Sequence, residues 1–307
     1  MRAETHTEVY RRFHGTLRRR PLRSLTLAWS GVRIGFRKKL PVLLLYAIPL
    51  ISTIVTSFVV QFKFDAESGQ YGSLGGRADG ASVLAAGLAI SNQLGEVSDL
   101  IFNYLLSVPM LSVAVLAMGW FGSGLISEDK RLRAHLLYFA RPMTRWTYML
   151  GKLGTVVFWG AMAIVVPITI VCGVAAFTSP DWSFVTQRWD VILRLELFGV
   201  LWILVHGLLV LAISSMVDRR NHAIAGLFGF YFLAGASAEA MTIVLDDSSW
   251  RLLSIPRNFE RIFNEMLGRN PFGVEWGIEA TVWVLGGLSL ACILVLARQT
   301  KRMEVGA

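Results

Sequence analysis

The chain has 307 residues, of which 54% are hydrophobic and 17% charged, with a net charge of +9 and a mean hydropathy of +0.54. This composition excludes an ordinary soluble domain and predicts an all-α integral membrane protein. The two cysteines, Cys172 and Cys292, each lie alone in an apolar run, which excludes a disulfide framework or a cysteine metal site.

Residues 1–39 are predicted to be a basic cytoplasmic segment that ends in an amphipathic helix. Apolar side chains recur there at intervals of three or four residues, the spacing of one helix face. They are Leu22, Leu25, Trp29, Val32 and Phe36. An apolar face with Trp and a basic back is typical of a helix lying in the membrane interface. A calmodulin-target-like helix and a soluble bundle helix are the alternatives, but the apolar run from residue 40 favours the interface.

Six apolar runs predict membrane spans, each of which needs about 20 residues as a helix. They are 40–62, 100–126, 153–179, 195–217, 223–245 and 280–297. Together they predict one transmembrane domain, 40–298, followed by a cytoplasmic tail, 299–307. Residues 246–279, between the last two runs, mix aromatic residues and arginines, which suggests one or two short external helices on the outer leaflet.

The loops are unevenly charged. With the N-terminus inside, the cytoplasmic segments contain 22 of the 30 Lys and Arg residues and 6 of the 21 Asp and Glu residues. Lys and Arg accumulate in the cytoplasmic loops of membrane proteins, so both termini are predicted to be cytoplasmic. We expect a multi-pass protein of the cell membrane whose basic charge contacts anionic lipid, not nucleic acid.

Between the second and third runs lies a segment of residues 127–152, here called the charged segment, with six Lys and Arg residues. Ser127 is predicted to cap a short helix with Glu128 and Asp129 in its first turn, where the helix dipole favours anions. Pro142 is predicted to end that helix.

One face of this predicted helix is apolar. Leu132, Leu136 and Phe139 follow the spacing i, i+4, i+7. Thr144 is expected to cap the next helix, which leads into the third span. A merely solvated loop is the alternative, but such a loop need not carry an apolar face, so we predict that the charged segment contacts another protein.

Polar residues in or near the spans are the candidates for a transport path. His206 lies near the middle of the fourth run, and Glu239 lies ~24 Å along the fifth helix from its inner end. Ionisable groups in a bilayer are costly and are candidates for function. The alternatives are an imidazole hydrogen-bonded to another helix and a carboxylate paired with an external arginine. Asn103 and Arg194 are further candidates near the outer face.

No nucleotide-binding motif is present. The closest approach to a P-loop ends in Gly151, Lys152 and Leu153, with Trp146 where the first glycine is needed. The chain is therefore predicted not to be an enzyme and to hold no cofactor or metal. An intramembrane enzyme would need His206 and Glu239 to cooperate across roughly 8–10 Å of depth, which argues against it.

The layout of a basic helix, six spans and a long first cytoplasmic loop resembles ABC-2-type permeases, the membrane subunits of ATP-binding-cassette exporters. Residues 122–153, GSGLISEDKRLRAHLLYFARPMTRWTYMLGKL, are similar to that family's loop, which starts with acidic residues and continues as RP-x-[ST]-R, Tyr and Gly-Lys. One departure is Arg133-Ala134, where many members have Gly-Thr.

The resemblance implies that residues 128–140 form a coupling helix seated in a separate ABC ATPase subunit, which binds ATP and Mg. Residues 22–39 would form the connecting helix, and a second permease copy, identical or not, would complete the path. The implied ATPase contacts are Glu128, Asp129, Arg131, Leu132, His135, Leu136, Phe139, Arg141 and Pro142. The alternative function is a membrane scaffold or assembly protein that docks a cytosolic partner without transporting.

The predicted orientation can be tested with Arg133→Cys in the charged segment and Ser249→Cys in the external segment. A membrane-impermeant maleimide should label only Ser249→Cys in intact cells and only Arg133→Cys in inside-out vesicles, because the membrane shields the opposite side. The parent chain, with its two cysteines in spans, is the control. Labelling of Arg133→Cys from outside intact cells would reverse the topology.

Overall fold

The computed structural model describes residues 23–68, 107–139, 143–179, 182–268 and 276–305, with isolated positions 85, 89, 96 and 99–101. All regular structure within these residues is helical. Six helical stretches are long and apolar enough to cross a membrane, which confirms the predicted all-α membrane fold. They are Lys39–Glu67, Met110–Arg131, Arg145–Thr178, Ser183–Met216, Arg220–Leu245 and Ile278–Glu304.

The helices are numbered in chain order. They are α1 (Arg23–Phe36), α2 (Lys39–Glu67), α3 (Val108–Gly122), α4 (Gly124–Arg131), α5 (Ala134–Phe139), α6 (Arg145–Ala163), α7 (Val165–Thr178), α8 (Ser183–Met216), α9 (Arg220–Leu245), α10 (Ile255–Met266) and α11 (Ile278–Val305). A 3-10 helix, Ser248–Leu253, joins α9 to α10. Consecutive spans run in opposite directions, so α10 lies at the end of the spans opposite the charged segment, here called the far end.

Two spans are built from two helices each. The third span breaks at Ile164, between α6 and α7. Pro167 explains this break, because its ring clashes with the carbonyl of Ala163, four residues earlier. The second span changes from α3 to α4 at Ser123 and continues without a loop.

Several helices extend beyond the predicted apolar runs. The third span begins at Arg145 instead of residue 153, and the fourth begins at Ser183 instead of residue 195, with a kink at Arg188. Thr144 sets the first of these starts as predicted, since its hydroxyl accepts a hydrogen bond from the Thr147 amide at 3.2 Å. Hydropathy identifies the part of a helix that suits a lipid core, whereas the hydrogen-bonded helix continues into its polar ends.

The fourth span, α8, lies at the centre of the protein. It packs against α3, α4, α6, α7, α9, α10 and α11. Trp202 and Leu195 on α8 are almost fully buried, whereas Phe58 on α2 and Phe232 on α9 are largely exposed. Large apolar side chains exposed on peripheral helices are stable in a bilayer, where lipid tails cover them.

Helix α1 packs on α6 through a face of small residues. Gly31 faces Thr155, whose hydroxyl donates to the Ala28 carbonyl at 3.1 Å, and Gly35 lies against the indole ring of Trp159.

The apolar face predicted for this helix is only partly covered by α6, where Phe36 packs against Phe158 and Trp159 with ring centroids 6.0 and 4.9 Å apart. Leu25 and Trp29 are more than half exposed, and Phe36 is also exposed, whereas Val32 is buried. Leu22 lies outside the described residues. The location of α1 in the membrane interface stays a prediction.

The close approach of α1 to α6 predicts that Gly35→Ala lowers the free energy of unfolding by about 1–3 kcal/mol, the usual cost of overpacking. Its new methyl group would meet Trp159, which is buried and stacked on Phe121 at 4.0 Å. Gly229→Ala on α9 is the matched control, because that position faces open space and alanine favours a helix by about 1 kcal/mol. Unfolding by SDS in mixed micelles, followed by circular dichroism, measures both. Equal stability of the two variants would contradict this packing.

Candidate functional site

The charged segment begins inside a helix and not at a helix start. Ser127 is buried within α4, and its hydroxyl donates to the Ser123 carbonyl at 2.7 Å. The predicted N-cap at Ser127 is therefore wrong, and Glu128 and Asp129 lie toward the end of α4 instead of in a first turn. The change from apolar to charged residues marks the end of the lipid-facing stretch, but backbone hydrogen bonds carry the helix on to Arg131.

The helix predicted over residues 128–140 is also interrupted. Arg133 adopts a left-handed backbone conformation with φ of 53°, which separates α4 from α5. Leu132 therefore lies at an exposed turn and does not share a continuous helix face with Leu136. The side chain of Phe139 and all of Arg141 and Pro142 lie outside the described residues.

The remaining predicted contact residues differ in exposure. Arg131, like Leu132 and Arg133, is exposed at the turn between α4 and α5. Partly buried are Glu128, Asp129, His135 and Leu136.

A buried ion pair fastens the charged segment to the third span. The Lys152 ammonium lies 2.7 Å from Asp129 Oδ2, and both side chains are shielded, with 8% and 15% exposed. The Tyr148 hydroxyl donates to the same carboxylate oxygen at 2.8 Å. Lys152 also lies over the rings of Tyr148 and Tyr138, at 5.3 and 5.6 Å. The carboxylate of Asp129 thus makes internal contacts that position the segment.

Helix α5 is attached to the residues around this ion pair. His135 Nδ1 donates to the Asp129 carbonyl at 3.2 Å, and Tyr138 packs beside Tyr148 with ring centroids 5.7 Å apart. Burial, and then the negative charge of Asp129, raise the pKa of Tyr138, so its hydroxyl keeps its proton at neutral pH. The two short helices and the start of α6 therefore form one braced unit.

Two further cations connect this end of the second span to the fifth. Lys130 pairs with exposed Asp218 at 2.9 Å. The hydrogen bond from Lys130, and then the positive charge of Lys130, lower the pKa of the Asp218 carboxyl group. Arg220, the first residue of α9, lies 4.2 Å over the ring of Trp120 and donates to the Trp120 carbonyl at 2.7 Å. The charged segment is thus linked to spans two and three and, through Lys130, to the end of span four and the turn that follows it.

A cavity of about 740 Å³ lies among α3, α8, α9 and α10, toward the far end of the spans. It is called the intramembrane cavity below. Its walls are mainly aromatic, with seven Phe, Trp and Tyr rings from three helices: Phe198, Trp202, Phe228, Tyr231, Phe232, Phe259 and Phe263. Sequence analysis missed this site, although the spacing of Phe198, Trp202 and His206 along one helix face was a signal for it.

His206 lines the intramembrane cavity and is 3% exposed. Its Nδ1 donates to the Trp202 carbonyl at 2.6 Å, and its ring stacks on Trp202 at 3.7 Å. The alternative of a bond to another helix is corrected, because the partner is a carbonyl one turn earlier on the same helix. Tyr231 of α9 lies parallel to the imidazole at 5.9 Å and supplies the contact between helices.

Glu239 pairs with arginines at the far end of the spans, as in the alternative to a path-lining role. Its carboxylate lies 3.5 Å from Arg251 and 3.6 Å from Arg257, and Arg257 also pairs with Glu260 at 3.2 Å. Glu239 does not contribute to the wall of the intramembrane cavity. Asn103 lies outside the described residues.

The short helices predicted within residues 246–279 are present as the 3-10 helix and α10, and their external location stays a prediction. Helix α10 buries Ile255, Phe259, Ile262 and Phe263, which follow one helix face, against the spans. Arg194 of α8 donates to the Met266 carbonyl at 2.8 Å, so this candidate holds the end of α10 in place.

The sequence also matches a known protein family. Residues 85–259, more than half of the chain, match the family described as ABC-2 family transporter protein. The chain therefore belongs to the ABC-2 transporter family and is a multi-pass transmembrane permease of an ABC transporter. No individual curated protein matches it. Within the described residues, no group of three or more His, Cys, Asp or Glu side chains is placed to hold a metal ion.

The ion pair predicts that Asp129→Asn destabilises the charged segment by about 3–5 kcal/mol, because it leaves the shielded Lys152 charge without its partner. The double variant Asp129→Asn with Lys152→Met should recover most of this loss. Asp218→Asn is the control, since its exposed pair contributes at most about 1 kcal/mol. Unfolding by SDS and proteolysis between α5 and α6 measure the effect. Equal losses in Asp129→Asn and Asp218→Asn would contradict the brace.

Proposed function

We propose that this chain is the membrane subunit of an ATP-driven exporter and that the charged segment receives force from a separate cytoplasmic ABC ATPase. The ATPase subunit would bind ATP and Mg, and this chain would hydrolyse nothing itself. A second permease copy, identical or not, would complete the path through the cell membrane. In this arrangement both termini and the charged segment face the cytoplasm, where ATP is available.

The brace between the charged segment and the spans is the observation that carries the proposal. Helix α4 continues the second span directly, and Asp129 is bonded to Lys152 and Tyr148 of the third span. A displacement of the α4–α5 turn would therefore tilt two spans together, because the connection contains no flexible loop on the α4 side. A loop that only exposed charge to water would need neither the shielded ion pair nor the left-handed turn.

The turn itself has the chemistry of a docking surface. Leu132 is 66% exposed between two exposed cations, Arg131 and Arg133. An apolar anchor surrounded by positive charge suits a groove with an apolar floor and an acidic rim. We place the ATPase contact at these three residues, while Asp129 holds the surface in position from inside.

The docking role predicts that Leu132→Asp weakens binding of the ATPase subunit by at least about tenfold, since burying a leucine contributes about 1.5–3 kcal/mol. The matched control is Leu253→Asp at the far end, an exposed leucine on the opposite side of the membrane. The measurements are recovery of a P-loop-containing ATPase with the tagged permease and the ATP hydrolysis rate of the pair in liposomes.

Equal loss in both variants would mean that the substitution acts on folding and not on docking. Full ATPase binding by Leu132→Asp would overturn the proposed contact. If the ATPase binds but neither this chain nor any added compound alters its hydrolysis rate, the protein is a scaffold and not an exporter.

A further inference from the structure

The intramembrane cavity is built within a single chain. Its walls come from the second, fourth and fifth spans and from α10, so they draw together residues that are more than 140 positions apart. At about 740 Å³ it falls in the range of pockets that bind compounds of drug size, about 300–1,000 Å³.

The walls favour flat aromatic ligands. Phe198 meets Phe263 edge to face at 5.2 Å, and Trp202 lies 6.3 Å from Phe259 in a tilted arrangement. Rings held in such arrangements present both faces and edges to the space between them, and aromatic pairs gain about 0.5–1.5 kcal/mol beyond the area they bury. A flexible acyl chain would gain only the contact area from the same walls.

His206 adds a hydrogen-bond acceptor at mid-depth. Because the Trp202 carbonyl can only accept, Nδ1 of the imidazole carries the proton, and Nε2 of the neutral ring is left with a lone pair. Nε2 has no hydrogen-bond partner in the part of the chain that the structure describes. An acceptor that lines a cavity and has no partner in the protein can gain a hydrogen bond when a ligand donor reaches it.

The charged side chains of α10 that line the cavity are already paired. Arg257 and Glu260 both line the cavity and are paired with each other at 3.2 Å, and Arg257 also approaches Glu239. Among its described lining residues the cavity therefore offers no isolated charge to compensate an ionic ligand, and burying an unpaired ion would be costly.

From these features we propose that the intramembrane cavity binds an uncharged, flat aromatic compound that donates a hydrogen bond, such as a phenol or an aryl amine, to Nε2 of His206. Only the inference that this ligand is the exported substrate rests on the proposed transport function. Binding itself is a property of this chain. In this site the Trp202 and Phe259 rings would contact the aromatic body of the ligand, and His206 would accept the hydrogen bond from the ligand's donor.

The test uses the full-length permease in lipid nanodiscs with two photoreactive probes, 4-hydroxybenzophenone and 4-methoxybenzophenone. They have nearly the same shape, but only the first donates a hydrogen bond. We expect saturable labelling that maps to α8, α9 or α10, is displaced by 4-phenylphenol, and has an apparent affinity about three- to tenfold higher for the hydroxyl probe.

Two variants locate the interaction. His206→Phe keeps a ring between Trp202 and Tyr231 but removes the acceptor, so the two probes should label this variant equally. Phe228→Trp enlarges a side chain that lines the cavity and is 40% exposed, so it should reduce labelling by both probes. The corresponding change on the lipid-facing side, Phe58→Trp on α2, is the control and should change nothing.

Several results would overturn the ligand assignment. They are labelling that does not saturate, labelling outside the three helices, equal affinity of both probes for the unaltered chain, and displacement by phospholipid but not by 4-phenylphenol. A cross-link that places a second copy of the chain in the cavity would overturn it as well. The hydrolysis rate of the partner ATPase tests the transport function separately. Cavity labelling with a rate that neither the chain nor any added compound changes rejects the exporter but keeps the site. Stimulation by another class of compound with no cavity labelling rejects the site but keeps the exporter.

Discussion

A bilayer core contains no water, so each backbone amide and carbonyl in a span must find its partner within the protein. This constraint explains the form of the second span. Its helical structure continues past the last apolar residue. Helix α3 ends at Gly122, Ser123 joins it to α4, and α4 ends at Arg131. As a result, α4, the first part of the charged segment, continues the second span directly, and Asp129 fixes it to Lys152 of the third span.

The second span also joins the two candidate sites. At one end α4 carries the charged segment, and toward the other end Leu111 and Val115 of α3 line the intramembrane cavity. The fifth span has the same double role, with Arg220 bonded beside the charged segment and Phe228 and Phe232 in the cavity wall. A tilt of these two spans would change the shape of the cavity directly, without a chain of intermediate side chains.

Sequence patterns predicted well where the signal was local. Six apolar runs, the Thr144 cap and the short helices between the last two spans all depend on spacing or composition within a few turns of chain. The errors arose where a local signal competed with tertiary contacts. Ser127 has the side chain of a good N-cap, but in the folded protein it bonds back to Ser123 inside a continuing helix. His206 and Glu239 are both polar residues in predicted spans, yet of the two only His206 lines the cavity, whereas Arg251 and Arg257 at the far end pair with Glu239.

The amino-acid sequence by itself determined the membrane class of the protein, the number of its spans and its place in the ABC-2 family, since these follow from apolar length and from one contiguous motif. Tertiary structure alone decided that Asp129 faces inward to Lys152 and Tyr148, that Leu132 and not a continuous helix face is presented at the turn, and that aromatic rings from α8, α9 and α10 surround one cavity. These features depend on residues far apart in the chain, whose meeting is set by how the helices pack and not by any spacing along the sequence.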